Sequence, residues 1–124
     1  MRIWKVGPSE LSNRRLLGEH REVHGMVTVV QKMRRGEPGG YQRHPEVLFY
    51  ADRLDALIRR HEQLAAEMNR RGFRHHSPLR VCPPPEDRGL FTFTPEAIAR
   101  DRQELHRREG RFRGRRRDDD WRGF

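Results

Sequence analysis

The sequence predicts an all-α fold, a compact single-domain three-helix bundle. Three observations lead there. Two long segments carry apolar residues at helical spacing, glycine and proline punctuate their ends, and the hydrophobic share of 33% suits one modest core. The first helix is expected from about Ser12 to Arg35, where Leu16, Val23, Val27 and Val30 form one stripe at about 100° per residue. Gly36, Pro38, Gly39 and Gly40 stop it. The second is expected from Pro45 to Arg71. Pro45 suits a first helical turn, Gly72 a C-terminal stop, and Val47, Tyr50, Ala51, Leu54, Leu57, Ile58, Leu64 and Met68 make its stripe. Between Phe73 and Phe93, Pro78, Pro83, Pro84 and Pro85 predict an irregular crossing. The third helix opens on Thr94 as cap, Pro95 at the first position and Glu96 against the dipole, and fades near Gly110. This divides the chain into a helical domain, 1–110, and a basic tail, 111–124, whose Arg/Gly run, Asp118 to Asp120, Trp121 and Phe124 suit a segment ordered by a partner.

Charge narrows the function. Charged residues are 36% of the chain, the formal net charge is +9, and only Lys5 and Lys32 among the 27 basic residues are lysines. Arginine offers phosphate a planar fork of donors, so a small protein of this kind suits nucleic acid. Cys82 is the only cysteine, which excludes an intramolecular disulfide. No apolar run approaches a membrane span, and Arg2 and Lys5 bracket only Ile3 and Trp4, so no secretory hydrophobic region is expected. The expectation is a cytoplasmic, monomeric protein that binds nucleic acid and no membrane.

Chemistry concentrates in Leu16 to Met26. Arg15, Glu19, Glu22 and Met26 share a stripe at spacings of three and four, bordering the apolar face. Glu22 thus lies between carbon and charge, a setting that suits a general acid/base. Glu19, one turn away, is expected to pair with Arg15 or to support the site. Arg14, Gly18, Arg21 and Gly25 are expected on the opposite, outer face, where two glycines cost the helix about 1 kcal/mol each and need a reason such as close packing or approach of DNA. His20 and His24 stand at a zinc-like i, i+4 spacing, but the metalloprotease motif needs glutamate where Arg21 stands, so no metal is expected. No phosphate-binding glycine loop occurs, and no cofactor is expected.

These motifs, taken in order, resemble the pyrimidine-dimer DNA glycosylases. The block from Arg2-Ile3 to Glu19-His20-Arg21-Glu22-Val23 is similar to the family's start and its Glu-x-Arg-Glu helix. Phe49-Tyr50-Ala51-Asp52-Arg53-Leu54 leading to Arg70-Arg71-Gly72-Phe73 resembles a second family segment, and Gly40-Tyr41-Gln42-Arg43-His44-Pro45 a third. The resemblance implies a three-helix bundle whose N-terminus threads between helices toward the active site. It implies a glycosylase with abasic-site lyase activity on cyclobutane pyrimidine dimers in double-stranded DNA. The N-terminal amine, here of Met1, would attack the sugar C1′ and form an imine, with Glu22 as acid/base. An α-amine has a reference pKa of about 7.7–8.0, so much of it is free base near neutrality. Arg2, Arg14, Arg15, His20, Arg21, Tyr41, His44, Arg102 and Trp121 would contact DNA. The family's phage member loses its initiator methionine and exposes threonine. Here Arg2 follows Met1, and so large a second residue is expected to keep Met1 in place. Gly25 replaces a family arginine, and the tail differs from the family's aromatic run, which leaves the lesion open. Two other readings stay open: a glycosylase or lyase on another lesion, and a non-catalytic basic helical DNA-binding protein.

Overall fold

The structure, a computed structural model, describes residues 2–74, 78–79 and 92–112. Among them the architecture is all-α: a 3-10 turn, Pro8–Glu10, then α1, Asn13–Arg34, α2, Pro45–Tyr50, α3, Leu54–Arg70, and α4, Pro95–Phe112. None of these helices is long and apolar enough to cross a membrane.

Local chemistry sets most of the boundaries. Ser12 caps α1, its Oγ accepting from the Arg15 N–H at 3.3 Å. Gly36 ends it at φ 72°, and the Glu37 N–H closes back on Lys32 O at 2.9 Å. The same closure recurs after α3, where Gly72 has φ 89° and the Phe73 N–H donates to Met68 O at 2.9 Å. Both positions lie in the left-handed region, where a side chain is strained. Thr94 Oγ1 caps α4 by accepting from the Ala97 N–H at 3.2 Å.

The second expected helix is in fact two. The chain leaves the α conformation at Arg53, φ -134° and ψ 43°, and restarts at Leu54. Arg53 compensates by donating from Nη1 to the Phe49 carbonyl at 2.7 Å, so one orphaned acceptor of α2 is satisfied by a side chain. The break leaves the stripe intact: Val47 and Tyr50 of α2 and Leu54, Leu57, Leu64 and Met68 of α3 are all buried. The domain boundary expected at residue 110 falls within α4, which runs to Phe112.

The core lies between α1 and α3. Leu16, Val23, Met26, Val27 and Val30 meet the α3 stripe, and Leu105 of α4 is fully buried against them. The N-terminal arm adds Ile3, Trp4, Val6 and Leu11, none more than 5% exposed. Each such side chain contributes about 1.5–3 kcal/mol on burial, enough to hold an otherwise extended segment in place. Arg71 clamps the following turn, donating to Leu11 O at 2.7 Å and Asn13 Oδ1 at 2.9 Å.

Candidate active site on helix α1

Polar contacts fix the direction of the arm. The Trp4 N–H donates to Glu19 Oε1 of α1 at 3.0 Å. Arg60 of α3 holds the same carboxylate, Nε to Oε2 at 2.5 Å, and donates from Nη1 to the Val6 carbonyl at 2.8 Å. On the other side, Asp101 of α4 accepts from Arg2 Nη2 and from the Lys5 N–H, both at 2.6 Å. Residues 2–6 are therefore stitched to three helices at once, with Arg2 at the leading end.

Glu19 is the centre of this stitching, and its partner differs from the sequence expectation. It pairs with Arg60, whereas Arg15 reaches across to Glu109 of α4. The reason is burial: only 1% of the Glu19 side chain is exposed, and Arg60 enters from α3 on the inner side. Burial pushes the Glu19 carboxyl up from its ordinary range, against the pull of the Arg60 guanidinium and the Trp4 N–H. Its partners here are all donors, so the bound form is the carboxylate. Removing one member leaves a buried charge uncompensated, at a cost of about 3–5 kcal/mol. Arg60→Met is accordingly expected to lower the unfolding free energy by that amount, read from the midpoint and slope of denaturant unfolding, and to release the arm. An unchanged midpoint would mean that the pair contributes nothing.

A cleft of about 360 Å³ opens where the arm crosses α1, lined by Arg2, Trp4, Arg14, Arg15, Gly18, Glu19, Glu22 and Arg108. Arg14 and Gly18 were expected on the outer face. They line the cleft because, at about 100° per residue, position 18 lies only about 40° and position 14 about 80° around the helix from Glu22, so residues 14, 15, 18, 19 and 22 share one opening. Gly18 has no neighbour within 4 Å of where a side chain would begin, so no helix packs there and the floor of the cleft is bare. Glu22 is half-buried, and among the described residues no hydrogen bond or ion pair engages its carboxylate. Three guanidinium groups surround the Trp4 indole, Arg2 at 4.2 Å from the ring centroid and Arg15 and Arg108 each at 5.5 Å. Arg108 is steadied by Glu104, its Nε 2.8 Å from Oε1. Hydrogen bonds from Arg107 and Arg108 hold the Glu104 carboxyl down at about 2, so this support stays charged at any working pH.

The expected site residues divide. Arg2, Arg14, Arg15 and Glu22 come together in the cleft. Arg21 is exposed beside it. Arg102 lies outside, bound to Glu10 at 2.6 and 3.0 Å. His44 caps α2, its Nδ1 accepting from the Glu46 N–H at 3.2 Å. Tyr41 is 65% exposed in a turn at φ 66°, an unusual conformation for a residue with a side chain. His20 is turned inward, 8% exposed, against His61 of α3. Met1 and Trp121 lie outside the described residues. Sequence reasoning missed Trp4, Arg60, Asp101 and Arg108. For the last two a signal existed: Asp101, Leu105 and Arg108 recur at helical spacing on one face of α4.

The arrangement is a cationic cleft around a carboxylate with a bare glycine floor. It suits a polyanion whose backbone must come close to a group able to move a proton. Curated proteins and solved structures yield no match, and the finding rests on a family model. That model, described as pyrimidine dimer DNA glycosylase, matches residues 1–81, most of the chain and all of α1, α2 and α3. The chain therefore belongs to the pyrimidine dimer DNA glycosylase family, and its substrate is DNA.

Proposed function

We propose that this glycosylase acts as a monomer on cyclobutane pyrimidine dimers in duplex DNA, with an associated abasic-site lyase step. The observation that carries the reading is the cleft itself: Arg2, one peptide unit after the chain's first residue, lines the same opening as Glu22. In this reading the nucleophile is the amine of Met1, the residue that precedes Arg2 in the sequence. Its lone pair attacks the sugar C1′, the glycosidic bond breaks, and the bonding electrons leave with the base. A proton is delivered to the departing base and the amine loses one; the C1′–O4′ bond of the sugar ring then breaks, its oxygen taking a proton, as the nitrogen lone pair forms the C1′=N bond of a protonated imine. Removal of a C2′ proton then expels the 3′ phosphate by β-elimination, and water releases the enzyme. Glu22 is the proton carrier in these steps. C1′ is shielded in intact B-form DNA, so the duplex must distort or release a nucleotide from its stack.

Arg2, Arg14, Arg15 and Arg108 form the phosphate-contacting wall, with Arg21 at its edge and Gly18 giving the backbone room. Asp101, Glu109 and Glu104 orient three of these guanidiniums. Arg14→Ala or Arg108→Ala is expected to weaken binding on every DNA sequence and to reduce the slope of log affinity against log salt by about one unit each. Unchanged slopes for both would place the DNA on another face. The decisive test of the reading is strand nicking on a panel of duplexes carrying a cyclobutane dimer, an abasic site or no lesion. Nicking of the dimer duplex with the undamaged control intact is the expected result. Nicking of abasic DNA alone would make the protein a lyase, and binding without nicking of any duplex would overturn the catalytic reading.

A further inference from the structure

His20 and His24 on α1 meet His61 of α3 inside the bundle. The ring centroids are 4.6 Å apart for His20 and His24, 5.0 Å for His20 and His61, and 4.9 Å for His24 and His61. One ring nitrogen from each lies within 4.8 Å of the others, and the Nε2 atoms of His20 and His61 are 3.2 Å apart. Zinc bound by imidazole at about 2.0–2.1 Å in tetrahedral geometry sets its nitrogens roughly 3.3–3.4 Å apart. The His20–His61 pair already has this spacing, and the widest separation closes by rotating imidazole rings, whose terminal torsion is soft.

A second feature orients the set. His61 Nδ1 lies 3.0 Å from Glu62 Oε1. A carboxylate only accepts, so this contact places the proton on Nδ1 and leaves the Nε2 lone pair directed at His20. A carboxylate behind a histidine is the arrangement that fixes the tautomer and orientation of metal-ligating imidazoles. Burial adds to the case, since His61 is fully buried and His20 nearly so. The sequence argument against a metal was Arg21. Arg21 is exposed, whereas His20 and His61 are buried. None of the three histidines lines the cleft described above.

We propose that His20, His24 and His61 form a site for one divalent late first-row transition-metal ion, with Zn²⁺ the expected occupant. Three neutral imidazoles suit such ions and not Mg²⁺ or Ca²⁺. The site ties α1 to α3 at the centre of the domain, leaves a fourth position for water, and is independent of the glycosylase mechanism.

The test uses the full, untagged chain, stripped with chelator, exchanged into metal-free buffer and titrated with ZnCl₂ by calorimetry and with CoCl₂ by visible absorption. About one equivalent of each metal is expected to bind, Co²⁺ with the absorption of a four-coordinate nitrogen site, and the melting temperature is expected to rise with free Zn²⁺ by mass action. His24→Ala is expected to weaken Zn²⁺ binding by more than about 100-fold, and Glu62→Gln by about 10–100-fold. Glu62 is on the surface, so its variant keeps the test valid should His24→Ala fail to fold by circular dichroism. A His75→Asn/His76→Asn double variant is expected to bind as wild type. Absence of saturable Zn²⁺ binding by the folded chain, binding that survives both His24→Ala and Glu62→Gln, or binding lost in the double variant would each overturn the proposal.

Discussion

Glu22→Gln is expected to bind a dimer-containing duplex as tightly as wild type and to lose turnover by about 10²–10⁴-fold, the usual contribution of a positioned acid/base. The substitution keeps the size of the side chain and its hydrogen-bonding reach, so it tests proton transfer alone. It leaves the fold untouched, because the arm is fastened by Glu19, Arg60 and Asp101 and none of those contacts involves Glu22. Single-turnover nicking beside a binding titration separates the two effects. Weaker binding with unchanged turnover per bound complex would make Glu22 a binding residue and move the acid/base elsewhere.

Blocking the N-terminal amine is expected to have an effect at least as large. An acetylated chain, or one with an N-terminal tag left on, replaces a basic amine with a neutral amide that cannot form an imine. Turnover should fall to background while affinity persists, since the cationic wall is unchanged. Borohydride added during turnover should trap a protein–DNA adduct, and peptide mapping should place it on the amine of Met1. Intact mass should correspond to a chain that begins with Met1. Full activity of the acetylated chain would refute the mechanism and direct attention to Lys5. That residue is a poor substitute, because its reference pKa is about 10.4. Its backbone is fastened to Asp101, and its Nζ lies 5.1 Å from the centroid of the Phe93 ring.

Much of this protein is legible in one dimension. The stripes of α1 and α3, the caps at Ser12 and Thr94, and the glycine stops at 36 and 72 are local features, each set by residues within about two turns of one another. The grouping of Arg15, Glu19 and Glu22 follows from the same periodicity, which is why the carboxylate of the cleft was visible beforehand. The sequence therefore determined the fold class, the cationic character and the helix that carries the candidate chemistry.

Tertiary structure decided the partners. Glu19 binds Arg60 from 41 positions away, Arg2 meets Asp101 from 99, and His20 meets His61 from 41. Hydropathy periodicity says which face of a helix is buried, and says nothing of which charged or aromatic group arrives from another helix to cover it. For that reason Glu19 reads in sequence as a partner of Arg15 or a support for the site, His20 and His24 read as a pair without a further ligand, and Trp4 has no assigned role. Packing of α3 and α4 against α1 turned the first into an anchor for the arm. It turned the second into a cluster of three imidazoles and the third into the wall of the cleft, because each of these groups needed a neighbour that only the closed bundle supplies.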